Sequence, residues 1–370
     1  MEGWFIIMKR KLVLENGREF IGEAFGSNEE VVAELVFNTS VVGYQEIISD
    51  ASYANKMICM TYPLIGNYGL TDEDFESKNV FARGLIVREY NDLPSNFRYT
   101  RTLSEVMEEN KVSGVSGVDT RELTKIIREN GSMKAIITDV DKPLVECLEI
   151  INDTDINENL INKVSSKRVW YSRTANPTYT VALIDLGTRL SIVKNLNSIG
   201  CNVIVYPYNT SVEEILKSKP NGIVLSSGPE VGDLEFVNII NELKGKLPIL
   251  GIGQGHILLG ASYGLYPNKM KFGQHGLNHP TKNTTNGRVY NRCHAHQFAF
   301  INSTFKHKSL KVLEYGLVED VVESFIDNKN KTIGVQYYPD LLSVDNAYST
   351  FLNFMNLKKE EAKNAKKNRS

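Results

Sequence analysis

A short glycine-rich peptide, Gly-Ile-Gly-Gln-Gly at residues 251–255, lies between two apolar segments. Residues 247–250 have the length and composition of a buried strand, and residues 257–259 continue as an apolar helix. This strand, tight turn and helix form the frame of a nucleophile elbow, whose middle residue lies at a helix N-terminus beside backbone amides. The middle residue here is Gly253, whereas a nucleophile requires Ser, Cys or Thr. The sequence therefore predicts the geometry of a catalytic turn without its nucleophile.

Short apolar runs alternate with helical patterns through the second half of the chain. The predicted strands cover residues 181–185, 202–206, 222–225 and 247–250. The helical patterns between them end at Gly200 and cover residues 212–218 and 234–243. Such alternation is typical of an α/β fold with a mostly parallel sheet covered by helices on both faces. Ligands of these sheets bind at the carboxyl ends of the strands, where three turns fall: residues 185–187, 226–229 and 251–255.

The N-terminal third is strand-rich. Residues 12–14 and 19–21 flank Asn16 and Gly17, a pair that suits the positive φ angles of a type I′ hairpin turn. Further strands are predicted at residues 35–37, 57–61 and 84–87.

Length and composition predict two domains. Residues 152–179 are rich in Asn, Asp, Ser and Lys, which indicates a linker. We therefore expect a strand-rich α/β domain over residues 1–151, a second domain over 180–358 and a basic tail over 359–370, which is interpreted as a frayed helix end. In the first domain, Asp119 and Glu122 predict the start of a helix over residues 121–129.

Charge and cysteine usage exclude several classes of function. The 370 residues carry a net charge of −2, so nucleic acid is not an expected partner. The cysteines show no CxxC spacing, which argues against a disulfide framework or a structural zinc site. They are Cys59, Cys147, Cys201 and Cys293. No run approaches the roughly 18 apolar residues of a membrane span, and residues 4–8 are too short for a signal peptide. We expect a cytoplasmic protein with no membrane partner.

Several segments resemble one protein family. In the N-terminal third they are residues 36–40 (Val-Phe-Asn-Thr-Ser), 43–46 (Gly-Tyr-Gln-Glu), 61–67 (Thr-Tyr-Pro-Leu-Ile-Gly-Asn) and 119–121 (Asp-Thr-Arg). Residues 269–273 (Lys-Met-Lys-Phe-Gly) and 278–280 (Asn-His-Pro) extend the match. With these segments the chain resembles the small subunit of carbamoyl phosphate synthetase from Met8 to Leu357. The resemblance implies a small-subunit N-terminal domain followed by a class I glutamine amidotransferase domain.

The resemblance also implies a chemistry. Small subunits of this family hydrolyse glutamine with a Cys–His–Glu triad and pass ammonia to a large subunit, which uses bicarbonate and ATP to make carbamoyl phosphate. The family's Gly-x-Cys-x-Gly turn falls on residues 251–255, so Gly253 stands at the cysteine position. Its Gln-Gly-His-Pro-Glu segment falls on residues 336–340, which places Tyr338 at the histidine and Asp340 at the glutamate. Tyrosine holds its proton well above neutral pH and is a poor general base. No intact catalytic residue is therefore expected.

The glutamine-binding positions implied by the resemblance are partly altered. Three match the family: Ser40, Gly228 and Phe298. Five are altered: Glu230, Gln254, Ile257, Ala295 and Gln297. We expect Glu230 and the pair Tyr337 and Tyr338 to fill or cap the former pocket.

Alternative sites are weaker. Cys293 has His294 and His296 as neighbours, but side chains alternate along a strand, so the two histidines would share one face and Cys293 the other. All six histidines lie in the C-terminal half, which suggests a metal site. Four of them match family positions that need no metal: His256, His275, His279 and His296. The glycines at 251, 253 and 255 fail the dinucleotide-binding spacing. We expect no metal and no cofactor.

The predicted function is that of a small-subunit homologue unable to hydrolyse glutamine. It would act as a structural or regulatory partner of the large subunit, which then uses ammonia. Two alternatives are a stand-alone pseudoenzyme that binds a small ligand in the remodelled pocket, and a subunit with residual glutaminase activity. A further possibility is a copy that competes with an active homologue for the large subunit. The sequence does not distinguish arginine from pyrimidine biosynthesis.

Overall fold

A computed structural model describes residues 8–156, 159–230, 236–341 and 346–367. The chain forms two compact units. The first comprises Met1–Leu160 together with Lys271–Gly276, and the second comprises Ile161–Met270 and Leu277–Ser370. Among the described residues, no helix combines the length and the apolar character needed to span a membrane.

The first unit contains a closed barrel of seven strands. The strands of this unit are β1 (Lys9–Leu14), β2 (Glu19–Gly26), β3 (Val31–Asn38), β4 (Lys56–Met60), β5 (Leu64–Ile65), β6 (Gly84–Ile86), β7 (Glu89–Tyr90), β8 (Ser113–Ser116) and β9 (Met133–Asp139). Its helices are α1 (Tyr44–Ser49), α2 (Leu103–Glu109), α3 (Thr120–Asn130) and α4 (Leu144–Asp153), with a 3₁₀ turn at Ala51–Tyr53. The barrel order is β1-β2-β8-β6-β4-β3-β9, and antiparallel pairing of β9 with β1 closes it.

The predicted N-terminal hairpin is present, but its turn differs from the prediction. Strands β1 and β2 pair antiparallel, with Leu12 opposite Phe20. Gly17 has a φ of 83° and its amide donates to the Leu14 carbonyl, whereas Asn16 is absent from the described residues with positive φ. A single left-handed residue fits a type I turn followed by a bulge, because a type I′ turn requires two such residues.

Helix α3 begins and ends where the sequence predicts. The Asp119 carboxylate accepts hydrogen bonds from the amides of Arg121 and Glu122, which satisfies two donors of the first helical turn. Gly131, with a φ of 97°, ends the helix.

A short segment distant in sequence completes the first unit. The Lys271 carbonyl accepts from the Ser132 amide at 2.9 Å, and the His275 carbonyl accepts from the Thr39 amide at 3.2 Å. The Phe272 ring packs on Phe37, with ring centroids 5.7 Å apart. Residues 271–276 therefore belong to the first unit, although the predicted domain limits assign them to the second.

The second unit is built on a ten-stranded sheet. Its strands are β10 (Trp170–Ser172), β11 (Tyr179–Asp185), β12 (Cys201–Pro207), β13 (Gly222–Leu225), β14 (Ile249–Ile252), β15 (Asn268–Asn283), β16 (Val289–Ile301), β17 (Lys311–Gly316), β18 (Val321–Asp327) and β19 (Thr332–Val335). The helices are α5 (Leu160–Val164), α6 (Leu190–Ser198), α7 (Val212–Lys217), α8 (Val237–Leu243), α9 (Gln254–Ala261) and α10 (Ala347–Lys367), with a 3₁₀ turn at Asn302–Thr304. The sheet order is β10-β12-β11-β13-β14-β19-β18-β16-β15-β17.

The sheet is parallel only through β12, β11, β13, β14 and β19. Strands β18 and β16 pair antiparallel, as do β19 and β18. The sheet therefore differs from the mostly parallel arrangement expected from the sequence. The reason lies in β15 and β16, which follow each other after a short turn and thus run in opposite directions.

Apolar side chains cover both faces of the parallel strands. Val181 and Leu183 of β11 pack in a core cluster with Phe351 of α10. Ala182 and Ile184 of the same strand pack in a second cluster with α7, α8 and α9. Because successive residues of a strand point to opposite faces, β11 is buried on both sides.

The segment predicted as a linker contains regular structure. Helix α4 extends to Asp153, helix α5 starts at Leu160, and β10 pairs antiparallel with β12. Residues 157 and 158 lie outside the described residues, as do residues 234 and 235 of the helix predicted over 234–243. The predicted basic tail continues helix α10 to Lys367.

Candidate functional site

The elbow predicted from the sequence is present at the end of β14. Gly253 has φ 54° and ψ −113° and directly precedes α9. Its amide donates to the Val335 carbonyl at 2.9 Å, and the Gly255 amide donates to the Ser226 carbonyl at 3.1 Å. These bonds tie the turn to β19 and to the loop after β13, both at the carboxyl ends of parallel strands.

The three glycines of the elbow have different physical roles. A Cβ atom at Gly251 would lie 2.5 Å from the Gly255 carbonyl oxygen, and one at Gly255 would lie 2.2 Å from the Leu225 carbonyl oxygen. At Gly253 the nearest atom would be the Ser227 Cβ, at 3.4 Å. Packing therefore requires glycine at 251 and 255, whereas position 253 has room for a side chain and is restricted only by its φ.

Tyr338 lies beyond β19 at the same sheet edge. Strand β19 pairs parallel with β14, and Val335 lies opposite Ile252. The structure thus brings the former histidine position close in register to Gly253. The Tyr338 ring lies under the Arg189 guanidinium, whose central carbon is 3.9 Å from the ring centroid. This is a cation–π contact and supplies no proton acceptor.

Asp340, which the resemblance places at the glutamate position of the triad, is exposed. In a working triad the acid is buried and orients the base. An exposed carboxylate that follows a tyrosine does not supply that function.

Glu230, one of the positions that the resemblance assigns to glutamine binding, is 9% exposed. Its Oε2 atom accepts hydrogen bonds from the amides of Gln297 and Phe298, each at 2.6 Å. Its Oε1 atom accepts from the Gln336 side-chain amide at 2.6 Å. Bonds of this length to a carboxylate are charge-assisted and stronger than bonds between neutral groups.

These contacts join residues that the family resemblance assigns to glutamine binding. Glu230, Gln297 and Phe298 all stand at such positions, and here they bond to one another. Three hydrogen bonds therefore hold the Glu230 carboxylate against these residues and Gln336. Residues 231–235, which follow it, lie outside the described residues.

The other positions that the resemblance assigns to glutamine binding lie on several elements. Ile257 is fully buried in a core cluster of the second unit, and Gln254 is fully buried at the start of α9. Gly228 packs so closely that an added Cβ would lie 1.8 Å from the Leu186 carbonyl oxygen. Ala295 lies on β16 and is partly exposed. Ser40 belongs to the first unit, where its amide donates to the Asn38 side chain.

Tyr337, which we expect to fill or cap the former pocket, is buried. Its side chain is 3% exposed and packs in the core of the second unit. The hydroxyl donates to Glu314 Oε1 at 3.2 Å, and the Arg292 guanidinium lies over the ring. Burial raises the pKa of Tyr337, and Glu314 raises it further, which keeps this phenol a proton donor.

The alternation predicted for β16 is confirmed. His294 and His296 are buried and hydrogen-bonded to each other. Cys293, which directly precedes His294 on β16, is partly exposed. Sequence reasoning did not find Glu323, a fully buried carboxylate of β18 that lies 3.6 Å from His294. It also missed Arg189. No local motif marks either residue, because their partners are distant in sequence.

Comparison with known proteins decides the family. A model of the carbamoyl-phosphate synthase small chain, CPSase domain, matches residues 12–137, and a model of class-I glutamine amidotransferase matches residues 182–356. The carbamoyl phosphate synthase pyrimidine-specific small chain of Bacillus subtilis is 40% identical over 335 residues, which are 90% of this chain and 91% of that protein. The chain belongs to the carbamoyl phosphate synthase small chain family.

Other members show a similar match. The carbamoyl phosphate synthase small chain of Listeria innocua is 39% identical over 95% of this chain and 98% of that protein. That of Staphylococcus saprophyticus is 39% identical over 90% of this chain and 92% of that protein. The small-chain match spans both compact units, so this family member retains both parts of the small chain.

Proposed function

We propose that this chain is a carbamoyl phosphate synthase small chain that does not hydrolyse glutamine. It acts as a structural or regulatory partner of a large subunit, and the complex uses ammonia. The proposal rests chiefly on Glu230, whose carboxylate takes the backbone amides of two glutamine-binding positions.

The chemistry at the elbow supports the same proposal. Thiol amidotransfer needs a thiolate, a base within hydrogen-bonding reach and a group that orients the base. Gly253 offers no thiol, and Tyr338 stacks on Arg189 instead of accepting a proton. Loss of a triad leaves roughly 10³–10⁴-fold acceleration over water from binding and the oxyanion hole. Because Glu230 fills the binding positions as well, that residual rate is not expected here.

Binding to a large subunit is proposed from the family. The relatives are named small chains, and the matched regions of this chain cover both units. Replacement of the triad residues does not remove the rest of the surface that a small chain offers to a large subunit. Loss of catalysis and retention of assembly are therefore compatible.

The test uses the complex reconstituted with the large subunit from the same source. Carbamoyl phosphate synthesis is measured with ammonium and with glutamine as nitrogen donor, beside the large subunit alone. We expect synthesis from ammonium and none from glutamine above the large-subunit background. Glutamine-dependent synthesis by the complex would contradict the loss of glutaminase activity.

Assembly is tested separately by analytical ultracentrifugation of the mixture. A species that contains both chains in a fixed ratio is expected. Two separate species at micromolar concentrations would contradict the partner role, whatever the result with glutamine.

A further inference from the structure

Three buried side chains with metal-ligating atoms meet between β16 and β18. They are His294, His296 and Glu323, and one ligand atom of each lies within 4.8 Å of the other two. His294 Nδ1 is 2.9 Å from His296 Nε2 and 3.6 Å from Glu323 Oε2. Each of the three side chains is at most 2% exposed. The buried cluster thus combines two histidine side chains and one carboxylate.

The Glu323 carboxylate is not accounted for by the surrounding protein. Within the described part of the chain, neither of its oxygens has a hydrogen-bond partner. A buried carboxylate without hydrogen bonds is strongly unfavourable. A bound cation would satisfy this group, because it supplies both a positive charge and a direct bond.

The contact between the two histidines does not remove the problem. A hydrogen bond between His294 Nδ1 and His296 Nε2 satisfies one nitrogen of each ring. It provides no donor to Glu323. The three groups are therefore better explained together than as an isolated histidine pair.

The spacing of the ligand atoms suits a small tetrahedral ion. Zinc binds histidine nitrogen and carboxylate oxygen at about 2.0–2.2 Å, so neighbouring ligands of a tetrahedral site lie about 3.3 Å apart. The observed separations of 2.9 and 3.6 Å lie on either side of that value. The third separation is no more than 4.8 Å, so side-chain rotations would have to bring the three atoms to tetrahedral spacing around one ion.

The second nitrogen of His296 also has the contact that such ligands require. His296 Nδ1 lies 3.2 Å from the Phe298 carbonyl oxygen. A proton on Nδ1 directs the Nε2 lone pair toward the cluster, as metal-binding histidines commonly show.

We propose that His294, His296 and Glu323 bind one divalent transition-metal ion, with Zn²⁺ the best fit and water in the fourth position. The ion would link β16 to β18. By the family resemblance, His294 stands where the segment Gln-Asn-His-Gly-Phe has glutamine. It does not depend on whether glutamine is hydrolysed.

The experiment uses the full-length chain without a histidine tag, freed of metal by a chelator and then dialysed. Zinc is titrated and the bound fraction is measured by elemental analysis, and Co²⁺ serves as the spectroscopic probe. We expect one zinc per chain, a visible Co²⁺ spectrum typical of tetrahedral coordination and a higher Tm with zinc. His294→Gln, which restores the family residue, and Glu323→Gln are expected to weaken zinc binding by at least about 100-fold.

His307→Gln is the matched control, since His307 is partly exposed and its Nδ1 atom bonds to Ser309. It should bind zinc like the original chain. Failure of the original chain to retain zinc in stoichiometric amount, or equal retention by both ligand variants, would overturn the proposal. If a variant does not fold, the original chain still decides the matter, because a six-coordinate Co²⁺ spectrum contradicts the site.

Discussion

The carboxylate of Glu230 accepts a hydrogen bond from the backbone amide of Phe298 at 2.6 Å. The neighbouring Gln297 amide donates to the same oxygen atom. Two successive amides that converge on one oxygen form an anion site, and this one is filled by a side chain of the protein itself. Glu230 therefore contributes both to stability and to the exclusion of acidic ligands.

Replacement of Glu230 by alanine should separate these two effects. Glu230→Ala leaves two buried amides and the Gln336 side chain without their acceptor, so we expect the free energy of unfolding to fall by about 1–3 kcal/mol. Acetate should then restore part of the loss by binding the same amides. Urea denaturation with and without acetate measures both quantities. An equal effect of acetate on Glu230→Ala and on the original protein would show that the amides do not form an anion site.

The loss of stability on replacing an elbow glycine should depend on which glycine is replaced. At Gly253 a non-glycine residue must adopt a φ of 54°, which costs on the order of 1–3 kcal/mol, but the nearest backbone atom to the Cβ, the Ser227 Cα, would lie at an ordinary contact distance of 3.6 Å. Gly253→Ala and Gly253→Cys should therefore fold with similar, modest losses of stability. Gly255→Ala should lose more, since its Cβ would lie 2.2 Å from the Leu225 carbonyl oxygen. Thermal unfolding of the three variants checks this order, and equal Tm values would contradict it.

Local patterns predicted the elbow, the N-terminal hairpin and the cap of α3. Each depends on a few consecutive residues whose backbone requirements are specific, such as glycine in a crowded turn. The exact turn at Gly17 was mispredicted because Asn-Gly pairs serve more than one hairpin type. The strand β10 was missed because three residues, Trp170–Ser172, carry too little periodicity to stand out in a polar segment.

Long-range contacts were not predictable in the same way. Glu230 and Phe298 are 68 residues apart, and nothing near either residue indicates the other. The family resemblance named both as binding positions without stating that they bond to each other. Glu323 carried no signal at all, since a glutamate on a strand is normally read as exposed.

Acidification should destabilise the protein through His256. This side chain is fully buried between Phe300 and Phe325, and burial lowers its pKa from 6.5 to about 3. In the unfolded chain the ring takes up a proton below its ordinary pKa, while the folded protein does not until about pH 3. Stability from this group is thus complete above pH 6.5 and falls as the pH drops from 6.5 toward 3. The loss is up to about 1.4 kcal/mol per pH unit.

The variant His256→Leu isolates that contribution. Urea denaturation at about pH 7, 6 and 5 should show a smaller decline in unfolding free energy for His256→Leu than for the original chain. His307→Leu, at a partly exposed position, is the control and should follow the original chain. Parallel declines in all three proteins would exclude His256 as a source of the pH dependence.

A buried ion pair should be costly to break. Arg292 Nη2 lies 2.7 Å from Glu314 Oε1, and both side chains are at most 7% exposed. Thr281 and Tyr337 also donate to Glu314. Arg292→Met leaves this carboxylate without its countercharge, so we expect a loss of about 3–5 kcal/mol.

A double-mutant cycle tests the cause of that loss. If the uncompensated charge is responsible, adding Glu314→Gln to Arg292→Met should recover part of the stability, because the amide is neutral and still accepts hydrogen bonds. Additive losses in chemical denaturation would show instead that packing, and not charge, dominates at this pair.

Restoration of catalysis requires more than the triad. A chain with Gly253→Cys, Tyr338→His and Asp340→Glu regains a thiol, a base and an acid, but Glu230 still occupies the amides of Gln297 and Phe298. We expect no measurable glutamine hydrolysis from this triple variant. Addition of Glu230→Gly should allow hydrolysis to appear, because it frees both amides for a ligand carboxylate. Ammonia release from glutamine, measured on the complex with the large subunit, compares the two variants.

Comparison of these variants shows which feature prevents glutamine hydrolysis, the pocket occupied by Glu230 or the missing triad. Hydrolysis by the triple variant at the same rate as by the quadruple variant would mean that Glu230 yields readily to glutamine. Glu230→Gly alone should remain inactive, because Gly253 supplies no nucleophile. The thiol introduced by Gly253→Cys must stay accessible to ligand in both the triple and the quadruple variant. Titration of the folded proteins with a thiol reagent checks this accessibility independently of turnover.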